Sequence, residues 1–455
     1  MSSLISIMDT SLAALFSARV SMQTVGHNIA NVNTPGFSRQ EVVQAARRPV
    51  RFTYGSIGRG VEVLGIRRLT DQFLLANRRV QSSSLASYSE VDSALREVEA
   101  IFGSVENDHL GETLNAFFGA WNELASPPAD PAQKFSVLSA AENLIADFRA
   151  MDDSLNDLQR SLQASLEDEV DVLNHLLDQV AHLNGQLLSG SSVGTAANDL
   201  MDQRDLLLDE IATMGRIQVV EREDQTVDVI MGGRTMVTRD HVTKLETVWQ
   251  ERPGGHRLAL MTMGHRIEVS LDEGKLQGMV ASLDEHVQKA RDQLDGLARM
   301  LADRVNALHV QGRTEWGSGL IFFTGDSAAS LAINPAIVDN PDLIATSRSG
   351  VEGDNDLALE IARLPQEPLD GEGSLTLLDS YRTVLVDLAS QRNRFEFLVE
   401  SQQNVVAAAT ARLESVRGVS LDEEGARMLQ YQHAYDAAAR VITTVQEMYE
   451  TLINM

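Results

Sequence analysis

The sequence contains no cysteine, so it forms no disulfide outside a cell and carries no stray thiol inside one; the compartment stays open on this count. Aromatic residues are scarce at 5%, which suits helical bundles built from Leu, Val and Ala better than a β-sandwich. Positive charge is scarce too. With 38 Lys and Arg against 65 Asp and Glu, the net charge of -27 argues against a nucleic-acid binder, because phosphate contacts need clustered cations. No uninterrupted run of about eighteen apolar residues occurs, so no membrane-spanning helix is expected. No positive charge precedes Arg19, and Asp9 interrupts the first apolar residues, so a secretory signal peptide is not expected either. Gly-rich phosphate loops, nucleophile elbows and Ser/His/Asp groupings are lacking, and neither an active site nor a cofactor is expected.

What is there begins with an uneven charge. Residues 1–80 hold ten Arg and four acids, about +6, against about -33 for the remainder. This points to complementarity between the N-terminal region and another acidic region, such as that of a neighbouring copy. Within the 455 residues there is room for two or three domains.

The N-terminus carries an apolar stripe of Leu4, Met8, Leu12, Leu15, Ala18, Met22, Val25 and Ile29, in steps of three or four that line one helix face. Thr34 precedes a proline and is pushed toward extended geometry. Pro35-Gly36 then suits the central positions of a type II turn, the glycine accepting a positive φ.

Residues 41–69 read as extended, with Val42-Val43, Phe52-Thr53-Tyr54 and Val61 to Leu64 punctuated by glycines. Helix resumes near Asp71, with stripes through Tyr88, Val91, Leu95, Val98 and Phe102 and, after Gly103, through Leu110, Leu114, Phe117, Trp121 and Leu124. Asp130 is an N-cap candidate with Pro131 behind it. It opens a helix reaching the Gly190 to Gly194 loop, roughly 75–80 Å long. Asn198 to Ile211 is amphipathic and helical. From 216 to 272 the period switches to 2, with Gly232-Gly233 and Gly254-Gly255 at hairpin-like positions, so a small β insertion is expected. Leu276 to His309 is helical again, and 312–373 is looser.

The C-terminal part has the strongest periodicity: Leu378, Tyr381, Leu385, Leu388, Arg392, Phe395, Val399, Gln402, Val406, Ala409, Leu413 and Val416. Arg392 and Gln402 interrupt it as register-setting or bundle-edge residues. Gly418 breaks the helix and Ser420-Leu421-Asp422-Glu423 restarts it as a capping-box pattern. Met428, Tyr431, Tyr435, Ala438, Ile442, Val445, Tyr449 and Leu452 continue the seam, a coiled-coil signal. Each terminal helix alone is marginal, and the two seams are expected to meet each other and other copies. Asp202, Arg204, Asp205, Asp209 and Glu210 read as a solvated helix face. His175 and His182, seven apart near Asp178, miss the four-residue spacing of helical metal ligands, so no metal is expected.

Asn28 to Phe37 resembles the N-terminal signature of the flagellar axial proteins, the rod, hook and hook-associated family. Ser38-Arg39-Gln40, Leu200 to Leu207, Leu294 to Ala298 with Val305-Asn306 and His309, Gly353-Asp354-Asn355, and Val419 to Glu424 with Tyr431-Gln432 are similar to its hook-associated junction members. The resemblance implies a mainly α fold: an elongated helical bundle with paired N- and C-terminal coiled-coil helices and a small inserted β domain. It implies a terminal assembly domain (1–40 plus 418–455), a helical body (41–215 plus 273–417) and an outer β domain (216–272). It implies a structural, non-enzymatic subunit without cofactor at the hook–filament junction, extracellular after transient residence in the cytoplasm and export through the flagellar type III apparatus. Partners would be copies of itself in a ring, hook subunits on one side, the second junction protein on the other, and a cytoplasmic chaperone on the C-terminal helix. Nucleic acid and membrane insertion are not expected. The implied N-terminal interface is Leu4, Met8, Leu12, Leu15, Met22, Val25 and Ile29, and the corner between layers is Asn31, Asn33, Thr34, Pro35, Gly36 and Phe37. The implied C-terminal interface, shared with the chaperone, is Met428, Tyr431, Tyr435, Ile442, Val445, Tyr449 and Leu452. Terminal helices largely disordered in the free subunit would fold on assembly. Another axial protein, or a secreted adhesin or glycan-active protein displaying 216–272, are the alternatives.

Overall fold

The computed structural model describes residues 2–52, 55–103, 108–189, 195–252, 255–351, 353–368 and 376–454. The expected features at Thr53-Tyr54, Gly190 to Gly194 and Gly254 lie outside the described residues. The architecture is mainly α, with a small β portion in the middle of the chain.

Helix α1 (Ser2–Ala30) is followed by β1 (Gln40–Ala46), β2 (Val50–Phe52), β3 (Gly55–Ile57) and β4 (Val61–Arg68). Strands β1 and β4 pair antiparallel with a bulge at Val43/Gln44, and β2 and β3 extend them as a hairpin. Helix α2 (Gln72–Phe102) starts where Asp71 accepts the amides of Phe73 and Leu74, and stops at Gly103, whose φ is +84°. After α3 (His109–Leu124) comes α4 (Pro131–Leu188), capped by Asp130 on the Ala132 amide as its sequence predicts. Its 58 residues make it about 87 Å long.

Helix α5 (Thr195–Met214) leads into β5 (Ile217–Glu221), β6 (Val227–Met231), β7 (Arg234–Thr238) and β8 (His241–Val242), a four-stranded antiparallel meander. Gly232 and Gly233 turn β6 into β7 with φ of +53° and +72°, the conformation a two-residue hairpin requires. Strands β9 (Leu245–Arg252) and β10 (Gly255–Thr262) form a separate hairpin. The helix expected over Leu276 to His309 is α6 (Lys275–Ala281) and α7 (Gln288–His309), joined by a wider π-helical stretch, Ser282–Val287. The looser segment holds β11 (Arg313–Thr314), β12 (Gly317–Ser318), β13 (Phe323–Thr324), β14 (Ala332–Ile333), α8 (Pro335–Asp339) and α9 (Asp356–Arg363). Two long helices finish the chain, α10 (Leu377–Arg417) and α11 (Leu421–Ile453).

Two apolar cores sit along α4. The first joins α3, α7, α9 and the start of α10 around Phe117, Trp121, Phe322 and Phe323. The second packs the distal half of α4 against α5, α6 and the strands β5–β7, β9 and β10. Leu162 of α4 touches both. One long helix therefore serves as the common wall of two cores, which explains its length.

The family-like residues of α7 hold the first core together. Asn306 accepts the amides of Phe322 and Phe323 at 2.7 and 2.8 Å and donates to the Phe323 carbonyl at 2.8 Å. His309 bridges the Leu320 carbonyl and the Ala345 amide at 2.5 and 3.1 Å. Helices α2 and α10 pack antiparallel, with Tyr88 edge-on to Phe395 at 6.3 Å. Gln402 donates to Gln81 of α2 at 2.8 Å, and Arg392 pairs with Glu99 at 3.2 Å. The two polar interruptions of the seam thus tie α10 to α2.

Three expectations change. Leu4–Ala30 is, by length and composition, long and apolar enough to cross a membrane, although no uninterrupted apolar run is present. Five of the ten arginines of residues 1–80 (Arg39, Arg67, Arg68, Arg78 and Arg79) already pair with acids of the same chain. On α5 the charged residues Asp202, Arg204 and Asp205 are buried.

Candidate assembly interface

Helices α1 and α11 lie antiparallel. Gly26 faces Met428, and two residues on, Asn28 reaches back four residues to Glu424. The buried face of α1 is made of small residues: Ser11, Ala13, Ser17, Ala18, Ser21, Thr24 and Val25. The hydroxyls of Ser11 and Thr24 return to the carbonyls of Ile7 and Val20, so their burial leaves no donor unmet. Small side chains let β1, β4 and α11 approach the helix closely.

This face differs from the expected apolar stripe. Val25 is buried; Leu4, Met8, Leu15, Met22 and Ile29 are half-buried, and Leu12 is 46% exposed. On α11, Val445 is buried beside Ala438, while Met428, Tyr431, Tyr435, Ile442 and Tyr449 are half-buried and Leu452 is exposed. Further apolar groups face solvent on both helices: Ile5, Ile7 and Phe16 on α1, and Leu429, Val441 and Met448 on α11. Outside its small-residue contact face, the pair thus leaves apolar side chains in solvent.

At the end of α1 the corner residues close on one another. The Asn31 side chain donates to the His27 carbonyl at 3.0 Å, and Thr34 Oγ1 donates to Asn31 Oδ1 at 3.1 Å. The Phe37 amide meets the Thr34 carbonyl at 3.2 Å with Gly36 at φ +77°, the turn that Pro35-Gly36 predicts. Phe37 packs edge-on to His27 at 5.5 Å. Asn33, Thr34 and Pro35 stay exposed. A Cβ on Gly36 would stand 2.5 Å from the Leu206 side chain, so this glycine is required by both φ and space.

The next three residues form a polar knot that periodicity does not reveal. Asn28 accepts the Gln40 amide and donates to the Gln40 carbonyl, both at 2.9 Å, replacing the strand partner that Gln40 lacks on that side. The same Asn28 amide nitrogen donates to Glu424 Oε2 at 2.9 Å. Arg39 donates through Nε to Glu424 Oε1 at 2.8 Å and through Nη1 to Glu423 at 3.1 Å, while its amide donates to the Arg417 carbonyl at 2.9 Å. Glu424 is fully buried, and Asn28, Arg39 and Gln40 nearly so. Segment 38–40 therefore joins α1, the end of α10 and the start of α11.

It joins α5 as well. Gln40 donates to Asp199 at 3.0 Å, and the Ser38 amide donates to Asp202 at 3.0 Å. Asp202 and Asp205 share Arg68 of β4, each at 2.8 Å; Arg79 of α2 binds Asp209 at 2.8 Å, and Arg78 pairs with Asp209 too. Arg204 runs the other way and donates to the Gln225 carbonyl at 2.6 Å. Asp202 and Asp205 are thus buried in an ion network with Arg68 and Arg79, and Arg204 is buried on a backbone carbonyl, so these are not a solvated face; Glu210 alone is exposed as expected. Burial pushes the Asp202 carboxyl up, more than the Ser38 amide and Arg68 pull it down. Burial acts on Asp205 in the same sense, but there Arg68 and Arg79 outweigh it and hold the carboxyl below its usual range. Burial lowers Arg204 against the pull of Asp205.

Such a network can position helices; it presents no reacting group to a cleft. His175 and His182 each meet a glutamine of α4, and among the described residues no group of three or more His, Asp or Glu is placed to hold a metal ion. The signal that sequence reading missed is the polar run 38–40 after the turn, together with Glu424 four residues past the Ser420 cap.

Comparison with known proteins gives concordant findings. Residues 95–323 match the family model described as the flagellar hook-associated protein FlgK helical domain, and residues 413–455 match that of the flagellar basal body rod FlgEFG protein C-terminal. The chain is 26% identical to flagellar hook-associated protein 1 of Bacillus subtilis, covering 98% of this chain and 97% of that one. It is 24% identical to flagellar hook-associated protein 1 of Salmonella typhimurium, covering 99% and 100%. That second alignment runs over 562 positions, more than the 455 residues here, so the relative holds segments this chain lacks. The solved structure of the flagellar hook junction protein FlgK from Burkholderia pseudomallei shares the fold, with a TM-score of 0.64 at 15% identity over 75% of this chain and 100% of that one.

Proposed function

Because this chain belongs to the family of the flagellar hook-associated protein FlgK, structural proteins of the bacterial flagellum, we propose that it assembles at the hook–filament junction as a ring of copies joined through α1 and α11. The observation that carries this reading is the apolar side chains that the helix pair leaves in solvent. Ile5, Ile7, Leu12, Phe16, Leu429, Val441, Met448 and Leu452 are all exposed. Covering what each still shows to water is worth about 1 kcal/mol per side chain, roughly 8 kcal/mol per copy. Association costs about 4–15 kcal/mol, so stable insertion calls for neighbours on more than one side, as a ring with hook subunits below and the second junction protein above would provide.

The remaining assignments follow the same reading. Residues 1–40 with 418–455 are the assembly unit, 41–215 with 273–417 the body, and 216–272 a small domain facing outward. The match of 413–455 to a rod-protein C-terminal model supports α11 as the element shared among axial proteins. Export through the flagellar type III apparatus, with a cytoplasmic chaperone covering the apolar face of α11, keeps that face from aggregating before the protein reaches the extracellular flagellum. The ends of α1 and α11 far from the knot gain their order on insertion. The corner Asn31 to Phe37 hands the inner helix over to the body.

The test is addition of purified protein to isolated hooks that lack their junction proteins, followed by electron microscopy. Short caps on hook ends are expected. Long tubes formed by the protein alone would favour a hook-type subunit instead, and glycan binding by 216–272 an adhesin.

A further inference from the structure

Residues 42–61 carry Arg47, Arg48, Arg51 and Arg59 and no acid, in a chain of net charge -27. The flanking Arg39, Arg67, Arg68, Arg78 and Arg79 are ion-paired within the chain. Among the described residues the four arginines of the arm have no such partner. Arg48, Arg51 and Arg59 are exposed, and so are Val50 and Ile57, which stand opposite each other across the hairpin.

The arm is held along α1. Gln44 donates to Ser21 at 3.1 Å, and Gly60 lies against Thr10, close enough that a Cβ there would sit 3.2 Å from the threonine methyl. Strand β1 thus runs back from Asn28 toward the first turns of α1, and the paired strands β2 and β3 continue from that end. Helix α11 is antiparallel to α1, so its last turns stand at the same end. Residues 441–454 have exposed Glu447 and Glu450, exposed Val441, Met448 and Leu452, and no basic residue. A cationic apolar arm and an anionic apolar helix end share one level along the helix pair, and within one copy they do not pair.

We propose that the arginine arm of each copy docks on the last turns of α11 of the next copy. The inference rests on the ring reading above and names its second contact. A contact between two different patches at the same level repeats around an axis without a rise, and it closes a ring when the rotation divides a full turn. An anionic membrane is disfavoured as the partner by the strong negative charge of the rest of the molecule.

The chain's lack of cysteine makes the test direct. Full-length protein carrying Arg51→Cys and Glu450→Cys is added to hooks and treated with a bis-maleimide cross-linker. A ladder of linked copies is expected on hook ends, absent from either single variant. Combined Arg48→Glu, Arg51→Glu and Arg59→Glu should lower capping about tenfold, the effect of roughly 1.4 kcal/mol, with helicity unchanged; adding Glu447→Arg and Glu450→Arg should restore it. Cross-links confined within single chains, or undiminished capping by the triple variant, would overturn the contact. So would arginine-dependent binding to anionic phospholipid vesicles with capping intact. Failure of the unmodified protein to cap hooks at all would remove the ring reading itself, and this contact with it.

Discussion

Asn28 and Glu424 stand 396 residues apart in the chain, and their side chains meet at 2.9 Å in a site closed to water. Arg39 completes the contact, so that one carboxylate receives an amide and a guanidinium from the two sides of the corner. In the knot both terminal helices, the turn and α10 are held by the same few atoms.

Removing the carboxylate should therefore be severe. Glu424→Ala leaves Arg39 buried without its principal partner, a loss of about 3–5 kcal/mol. Hydrogen exchange should show α1 and α11 losing protection while α4 and α7 keep theirs. Glu424→Gln should fall between, since it still accepts from Asn28. Uniform loss across all helices would argue against a local knot.

At the turn, Pro35 and Gly36 should behave differently. Pro35 is exposed, and Pro35→Ala changes mainly the unfolded chain, by under about 1 kcal/mol. Gly36→Val meets both a positive φ and the Leu206 side chain, costing roughly 2–4 kcal/mol. Thermal unfolding should separate the two variants, and equal destabilisation would contradict the turn geometry.

His309 predicts a pH dependence. Burial lowers its pKa, and its ring must donate to the Leu320 carbonyl while accepting the Ala345 amide, which only the neutral form can do. Below the unfolded value of about 6.5, the unfolded chain binds a proton that the folded chain refuses. Stability is thus full above that value and falls as pH drops below it toward the folded value. His286, also lowered by burial, adds in the same sense. Melting curves between pH 7.5 and about 5 should slope less for His309→Gln than for the natural protein. Equal slopes would count against this account.

The outer surface predicts a separation of folding from assembly. Leu429→Asp with Met448→Asp alters two exposed positions, and monomer stability should stay within about 0.5 kcal/mol. Capping of hooks should nevertheless be lost. Normal capping would remove these exposed positions of α11 from the interface.

Most of the architecture is legible locally. Asp130-Pro131, Gly418 and Ser420 mark helix ends because capping depends on neighbours in sequence, and Pro35-Gly36 specifies its turn for the same reason. The shift from a period near 3.6 to 2 at residue 216 marks the β insertion because side-chain direction follows backbone geometry. The apolar stripe of α1 does not mark its most buried face, which carries serines and Thr24, since β1, β4 and α11 crowd that side while most of the stripe is half-buried.

What the sequence alone determined is therefore most of the long elements and their ends, including a long helix at each terminus. Only the tertiary structure decided which charges are buried. Asp202 and Asp205 look like any solvated helix face until Arg68 and Arg79 arrive from β4 and α2, more than a hundred residues away. Glu424 looks like an ordinary first-turn acid until the corner at 38–40 closes over it. Burial of a charge depends on partners brought from distant segments, and no local pattern carries that information.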